Sequence, residues 1–415
     1  MHNPGQETPF GAAAFERPVP RISIHAFCEF PDTAAALQRA GSDRRLAKAQ
    51  LMVQLGGVGA AIDYYAGQAT PNLLIVESRT PAEKALAEID RLAEVCDAST
   101  KVVVIGRTND VELYRELMHR GVSEYLVAPL SPLKIIETVS GLYADPEGNP
   151  VGKVIAFVGA RGGVGASALA HNVGWCVAEE LNIGTAIVDF DLPFGTLGID
   201  YNEDPGQTVL DALQAPQRLD ETLLDRLLLK RGDNLALFPA PAILDREIAF
   251  GPDVYEAVID AVRRAMPCIV LDLPHSWETW VRASLIGADD IVLVATPDLA
   301  SLRNAKNIVE SLKVSRPNDD LPKLVLNQVG LSRRPEIPVK DFAETVGYEP
   351  VEVLPFDAEG FGNAANSGKV LAEIDRKSQA AAGIRALARL LTGRKSLPEK
   401  AGNPLAMLFK PKKRA

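Results

Sequence analysis

The chain has 415 residues and a formal net charge of −10, with 44 Lys and Arg against 54 Asp and Glu. That length exceeds one ordinary domain and makes two the expectation, and an acidic body excludes broad coating of nucleic acid, so no specific DNA binding is expected. Apolar residues at 47% with aromatics at 6% supply sizeable cores filled by Ala, Val and Leu rather than by rings.

The first 20 residues are rich in Pro and Gly, carry no signal-peptide apolar region and read as a disordered lead, 1–20. From Arg21 to Tyr143 short apolar runs alternate with helical patterns. The strand candidates are Ile22–Phe27, Gln50–Leu55, Leu73–Glu77, Val102–Ile105 and Glu124–Val127, with amphipathic stretches such as Pro81–Val95 and Asp110–Arg120 between them. Five strands alternating with helices predict a doubly wound α/β domain over 21–143. Ala144–Gly152 reads as a turn-rich linker.

A second α/β series fills 153–393. Its strand candidates are Val154–Gly159, Thr185–Asp189, Leu235–Phe238, Ile269–Leu273, Asp290–Ala295, Lys323–Asn327 and Val351–Leu354. Ile269–Leu273 and Ile291–Ala295 are apolar on both faces, as a parallel sheet covered by helices on each side requires. The tail 394–415 is basic, with an apolar run, Leu405–Phe409, just before its last cationic cluster. It reads as a solvated tail, with weak contact to an anionic membrane surface as the other reading. No apolar run reaches the ~18 residues of a membrane span. Cys28, Cys96, Cys176 and Cys268 lie far apart without CxxC spacing and read as reduced core residues of a cytosolic protein.

The first chemical motif is the loop Gly159-Ala160-Arg161-Gly162-Gly163-Val164-Gly165-Ala166-Ser167-Ala168, set between an apolar strand and the helical stretch Ala168–Leu181. Strand, glycine loop and helix form a cup of inward-turned N–H groups, and the helix N-terminus adds partial positive charge, so the cup suits phosphate. The Ser167 hydroxyl is placed to bind Mg²⁺. Two other readings stay open here. The loop serves as a structural turn, or Gly163-x-Gly165-x-x-Ala168 is a dinucleotide fingerprint, with Asp189 about 20 residues further on.

The loop resembles that of the deviant Walker-A ATPases, the MinD and ParA group, whose pattern is KGGxGK[ST]. Arg161 stands at the first lysine position and Ala166 at the second, while Gly162, Gly163, Gly165 and Ser167 match. The resemblance continues through Asp189-Phe190-Asp191, a D-x-D, and Ile269-Val270-Leu271-Asp272, which is similar to Walker B. It continues through Ala295–Leu302, Leu326-Asn327-Gln328 and Leu354-Pro355-Phe356-Asp357. It implies ATP and Mg²⁺ as cofactors, with Asp191 positioning water. The loop residues, Asn327 and Pro355 would then contact nucleotide, and Ser167, Asp191 and, through water, Asp272 would hold Mg²⁺. It also implies a homodimer with Arg161 reaching the partner's phosphates.

The first domain resembles a response-regulator receiver, a flavodoxin-like fold, without its phosphotransfer residues. Glu29 alone follows strand one, Glu77 stands at the acceptor position, and Ala128-Pro129 replaces the Lys-Pro after strand five. A receiver-like domain followed by a MinD/ParA-like P-loop domain resembles the TadZ/CpaE family of Flp/Tad pilus-assembly proteins. That family implies a cytoplasmic factor at the cell pole, contacting secretion machinery at the inner membrane, with ATP hydrolysis slow or absent. An active partitioning ATPase, a protein switched by phosphorylation of its first domain and a dinucleotide-binding enzyme are the alternatives.

Overall fold

Runs that are apolar on both faces become interior strands once amphipathic helices cover them, and here they build two sheets. The computed structural model describes residues 19–143, 151–245 and 248–394. The readings of a disordered lead over 1–20, of a linker over 144–152 and of a basic tail over 394–415 lie outside these residues except at their edges, where Val19 is buried and donates its N–H to the Arg45 carbonyl at 2.9 Å. Two compact units make up the chain. One takes in 19–143 and Ile308–Leu321, the other Gly152–Asn307 and 322–394.

The first unit holds β1 (Ser23–Cys28), β2 (Gln50–Leu55), β3 (Leu73–Glu77), β4 (Lys101–Gly106) and β5 (Glu124–Val127). They pair in parallel in the order β2-β1-β3-β4-β5. That order is the flavodoxin-like one, with its switch point between β1 and β3. The helices are α1 (Pro31–Gly41), α2 (Gly57–Tyr65), α3 (Ala82–Ala93), α4 (Val111–His119) and α5 (Pro132–Leu142). Leu37 and Ala40 of α1 and Ile135, Ile136 and Val139 of α5 pack on one face of the sheet, against Ile24, Ala26 and Ile75. Phe27, Leu74, Val76 and Val104 face the other way, onto Val58, Ile62, Leu92 and Leu113 of α2, α3 and α4. The alternation of side chains along each strand sends successive residues to opposite cores.

The second unit holds β6 (Lys153–Gly159), β7 (Thr185–Asp189), β8 (Leu229–Arg231), β9 (Leu235–Phe238), β10 (Cys268–Asp272), β11 (Asp290–Ala295), β12 (Lys323–Val329) and β13 (Glu352–Pro355). The order is β13-β12-β11-β6-β10-β7-β9-β8. All pairings are parallel except the edge strand β8, which runs antiparallel to β9. At three residues β8 is too short to carry a periodic signal, and the sequence gives no sign of it. The central strand β6 leads into the glycine loop and then into α6 (Ala166–Trp175). Leu169, Ala170 and Val173 of α6 join one core with Phe157, Ile187 and Val270 from three adjacent strands. The helix expected over Ala168–Leu181 starts two residues earlier and ends in a π-helical turn, Cys176–Glu180. Cys28, Cys176 and Cys268 are buried, Cys96 is half-buried, and all four are free thiols. No helix among the described residues is long and apolar enough to cross a membrane.

Candidate functional site

In a parallel sheet the loops that follow the C-terminal ends of the strands share one edge, and ligands of such folds bind there. β6 delivers the glycine loop to that edge. Gly163 and Gly165 adopt φ of +78° and +86°, the left-handed region that side chains rarely enter. Gly165 is also crowded, since a Cβ there would lie 2.6 Å from the Asn327 Nδ2 atom. These two glycines let the chain turn sharply and start α6 at Ala166, with Gly165 as an N-cap lacking any side-chain hydrogen bond. An uncapped helix start leaves backbone N–H groups available for an anion. Arg161 is half-buried, Gly162 and Gly163 are exposed, and Gly165 to Ala168 are half-buried, so the loop is open on one side. Val164 is buried and anchors it from below.

β12 braces the loop. Asn327 Nδ2 donates to the Val164 carbonyl at 2.8 Å, and Gln328 Nε2 donates to the Gly163 carbonyl at 3.0 Å. These contacts tie the loop's carbonyls back to the sheet. The sequence pointed to Asn327 as a base contact, and the structure places it against the loop backbone. Pro355 ends β13 and pairs with Val329 at the end of β12, on the same edge.

The loop's cation is held in its own chain. Arg161 donates through Nε and Nη2 to Asp298 Oδ2 at 3.3 and 3.0 Å, and through Nη2 to Thr296 Oγ1 at 3.2 Å. Burial raises the Asp298 pKa, but hydrogen bonds from Thr296, the Ser301 N–H and Arg161 outweigh it and hold the carboxyl at about 2. Ala166, at the second cationic position of the motif, opens α6 with a methyl group.

The carboxylates gather under the loop. Asp189 and Asp272 end the neighbouring strands β7 and β10 and stand opposite each other in register. Both are buried. Asp189 accepts from the Asp191 N–H at 3.0 Å and the Leu197 N–H at 3.2 Å. Burial first, and then the Asp272 charge, raise its pKa. Asp191 is also raised, by burial and by Asp272, against a lowering bond from the Phe194 N–H. Among the described residues neither oxygen of Asp272 makes a well-formed hydrogen bond, and Oδ2 faces the His171 ring at 3.3 Å.

Beside these acids stands His171, a residue that the sequence patterns do not single out. It lies on α6, one turn after Ser167, and is fully buried. Its Nδ1 meets Asp200 Oδ2 at 2.6 Å and its Nε2 lies 3.3 Å from Asp272 Oδ2. Burial lowers its pKa, and the two carboxylates more than reverse that. The i, i+4 spacing from Ser167 places both on one side of α6. A histidine set among the apolar Leu169, Ala170 and Val173 is the signal available in the sequence.

Glu77, which the receiver resemblance puts at the acceptor position, is fully engaged. Glu77 ends β3 fully buried, and its carboxylate accepts from the Glu29 and Phe30 N–H groups at 2.9 and 3.1 Å and from Thr33 Oγ1 at 2.8 Å. It anchors the β1–α1 turn.

No family model matches the chain. It is 24% identical over 248 residues to the septum site-determining protein MinD of Thermotoga maritima, spanning 59% of this chain and 89% of that protein. Among solved structures it is similar to a ParA family ATPase from Chlorobium tepidum, at 26% identity and a TM-score of 0.53, covering 57% of this chain and 98% of the other. It is also similar to a pilus assembly protein CpaE from Caulobacter crescentus, at 55% identity and a TM-score of 0.31, over 31% of this chain and 98% of the other.

Proposed function

Because the chain belongs to the CpaE family of pilus-assembly proteins, MinD-like in kind, we propose that it is an ATP-binding assembly factor that turns ATP over slowly or not at all. On this reading it places the secretion machinery of a Flp/Tad-type pilus at the cell pole, near the inner membrane. The observation that carries the reading is Ala166 at the start of a phosphate cup whose glycine turns are kept. The backbone donors that bind phosphate are kept, and the side chain that would stabilise charge moving during transfer is gone. Supplying or removing such a cation changes phosphoryl-transfer rates by ~10³–10⁵. A single charge-assisted contact in the ground state is worth only about 1.5–3 kcal/mol. Hydrolysis therefore suffers far more than binding.

The residues present fit ATP–Mg²⁺. The uncapped N-terminus of α6 and the open loop suit the phosphates, and the buried Asp272 carboxylate at the end of β10 suits the water shell of a cation. Ser167 Oγ and Asp191 would hold Mg²⁺, with Asp272 reaching it through water, and the ion would neutralise phosphate charge. Asp191 would orient water in whatever turnover remains. Asn327 and Pro355 would border the base.

A second copy of this chain is the proposed partner at the nucleotide edge. Phe194, Leu244, Trp277 and Leu299 follow the C-terminal ends of β7, β9, β10 and β11 and are 68%, 69%, 45% and 74% exposed. Large apolar side chains on the same edge as the loop fit burial against another protein surface. Pilus machinery at the inner membrane is the other proposed partner.

The experiment pairs two measurements on the full chain. ATP–Mg²⁺ should raise the melting temperature, while phosphate release stays far below that of a MinD enzyme with both loop lysines. Release at the MinD rate would overturn the reading.

A further inference from the structure

We propose that His171, Asp189 and Asp272 form an internal binding site for one Zn²⁺-type transition-metal dication, separate from the Mg²⁺ of a nucleotide. One ligand atom from each of the three lies within 4.8 Å of the others. The three come from α6, β7 and β10, so the fold and not a local sequence motif brings them together.

Four observations carry the proposal. First, among the described residues His171 Nε2 and both oxygens of Asp272 are buried without a well-formed hydrogen bond, and their 3.3 Å approach is the contact that Nε2 and Oδ2 share. A buried carboxylate is costly unless a cation serves it, and a dication between the two would serve Asp272 with the histidine neutral. Second, the 3.3 Å separation of His171 Nε2 and Asp272 Oδ2 is long for a charge-assisted hydrogen bond, which runs at about 2.7–2.9 Å. It matches the edge of a tetrahedron: ligands about 2.0–2.1 Å from Zn²⁺ stand about 3.3 Å apart. Third, His171 Nδ1 is engaged by Asp200 at 2.6 Å. Metal-ligating histidines characteristically give their other ring N–H to a carboxylate, which fixes the tautomer and aims the free nitrogen at the ion. Asp200 is itself held, accepting from Thr196 Oγ1 at 3.2 Å. Fourth, the charges of the three ligands balance. Two carboxylates and a neutral imidazole around a dication sum to zero, and the remaining charge, on Asp200, keeps its contact with solvent.

The donor set selects the metal. Imidazole with carboxylates suits Zn²⁺ and its neighbours, whereas Mg²⁺ prefers an all-oxygen octahedron and keeps its water. Three protein ligands leave one tetrahedral position for water or a phosphate oxygen. Asp272 is shared with the proposed nucleotide site. A Mg²⁺ that meets it through water leaves its direct ligand positions to Zn²⁺. The site needs no nucleotide, so it stands or falls apart from the ATP reading.

The test uses the full chain without an affinity tag, stripped by chelator and free of nucleotide. Zn²⁺, Mn²⁺ or Mg²⁺ alone is added, excess is removed, and metal per chain and melting temperature are read. Cobalt(II) is loaded in parallel for its visible spectrum. The expected result is one Zn²⁺ per chain, a raised melting temperature, an intense tetrahedral cobalt band and no comparable effect of Mg²⁺. His171→Ala and Asp272→Asn should lose the metal and the band. Asp200→Asn, which leaves the three ligands in place, should weaken affinity 10- to 100-fold. Ser167→Ala should keep both. A folded wild-type chain that retains no Zn²⁺ overturns the proposal. So does Zn²⁺ retained equally by His171→Ala and Asp200→Asn, or an octahedral cobalt spectrum.

Discussion

The Arg161 guanidinium sits 3.0 Å from Asp298 Oδ2, so a carboxylate of the same chain occupies the loop's cation. Arg161 has to leave this partner before it can reach a phosphate, in its own chain or across a dimer. Both side chains are partly exposed, so the contact is worth about 1 kcal/mol or less. Asp298→Asn keeps an acceptor for the Ser301 N–H and removes the charge. It should tighten ATP–Mg²⁺ binding by up to about fivefold. Arg161→Ala should weaken ATP-dependent dimerisation while the chain stays folded. Titration calorimetry and light scattering on the full-length variants read these effects, and an ATP response indifferent to both substitutions removes Arg161 from the site.

Asp298 also gives an acid signature. Its folded pKa, about 2, lies below the ordinary value of 3.8. The stability it contributes is therefore fully present above about pH 4 and disappears as pH falls towards 2. The melting-temperature gap between wild type and Asp298→Asn should be constant from pH 5 to 7 and close below pH 4. A gap unchanged at pH 2.5 contradicts the assignment.

Ala166→Lys restores the amine that the phosphate cup lacks. Adding one charge-assisted contact of about 1.5–3 kcal/mol should tighten ATP about 10- to 150-fold. Phosphate release should rise by more than affinity does, because transition-state charge gains most from a cation. If neither changes, Ala166 does not face the phosphates.

Ser167→Ala and Asp191→Ala should reduce the thermal shift produced by ATP–Mg²⁺, while the nucleotide-free chain loses no more than about 0.5–1.5 kcal/mol, the worth of the hydrogen bond from the Phe194 N–H to Asp191. At saturating ligand each tenfold loss of affinity removes about 1.4 kcal/mol of ligand stabilisation. A full ATP–Mg²⁺ shift in both variants would reject these two residues as Mg²⁺ partners.

Glu77→Ala should destabilise the first unit by about 2–4 kcal/mol, since it strips an acceptor from three donors in a buried turn. The ATP shift should be untouched. Incubation of the wild type with a small phosphodonor should leave its intact mass unchanged, because the Glu77 carboxylate is already bonded on both oxygens. A mass gain of one phosphoryl group would make the first unit a phosphorylated switch.

Local signals in the sequence settled much of the molecule. Doubly apolar runs such as Ile269–Leu273 alternate with amphipathic stretches along the chain, and that alternation makes two parallel α/β sheets legible. The loop Gly159–Ala168 was legible because positive-φ glycines and a helix start are requirements of neighbouring residues. What the sequence left open depends on residues far apart in the chain. The three-residue β8 exists because β9 offers it an edge. Asn327 braces Val164 from 163 positions away, and Asp298 holds Arg161 from 137 away, because β12 and the turn after β11 share the loop's edge of the sheet. His171, Asp189 and Asp272 meet only once β7 and β10 lie in register beneath α6. Burial then changes their chemistry: a histidine on an exposed helix is a solvated base, and the same residue sealed between two carboxylates has to hold a proton or a metal.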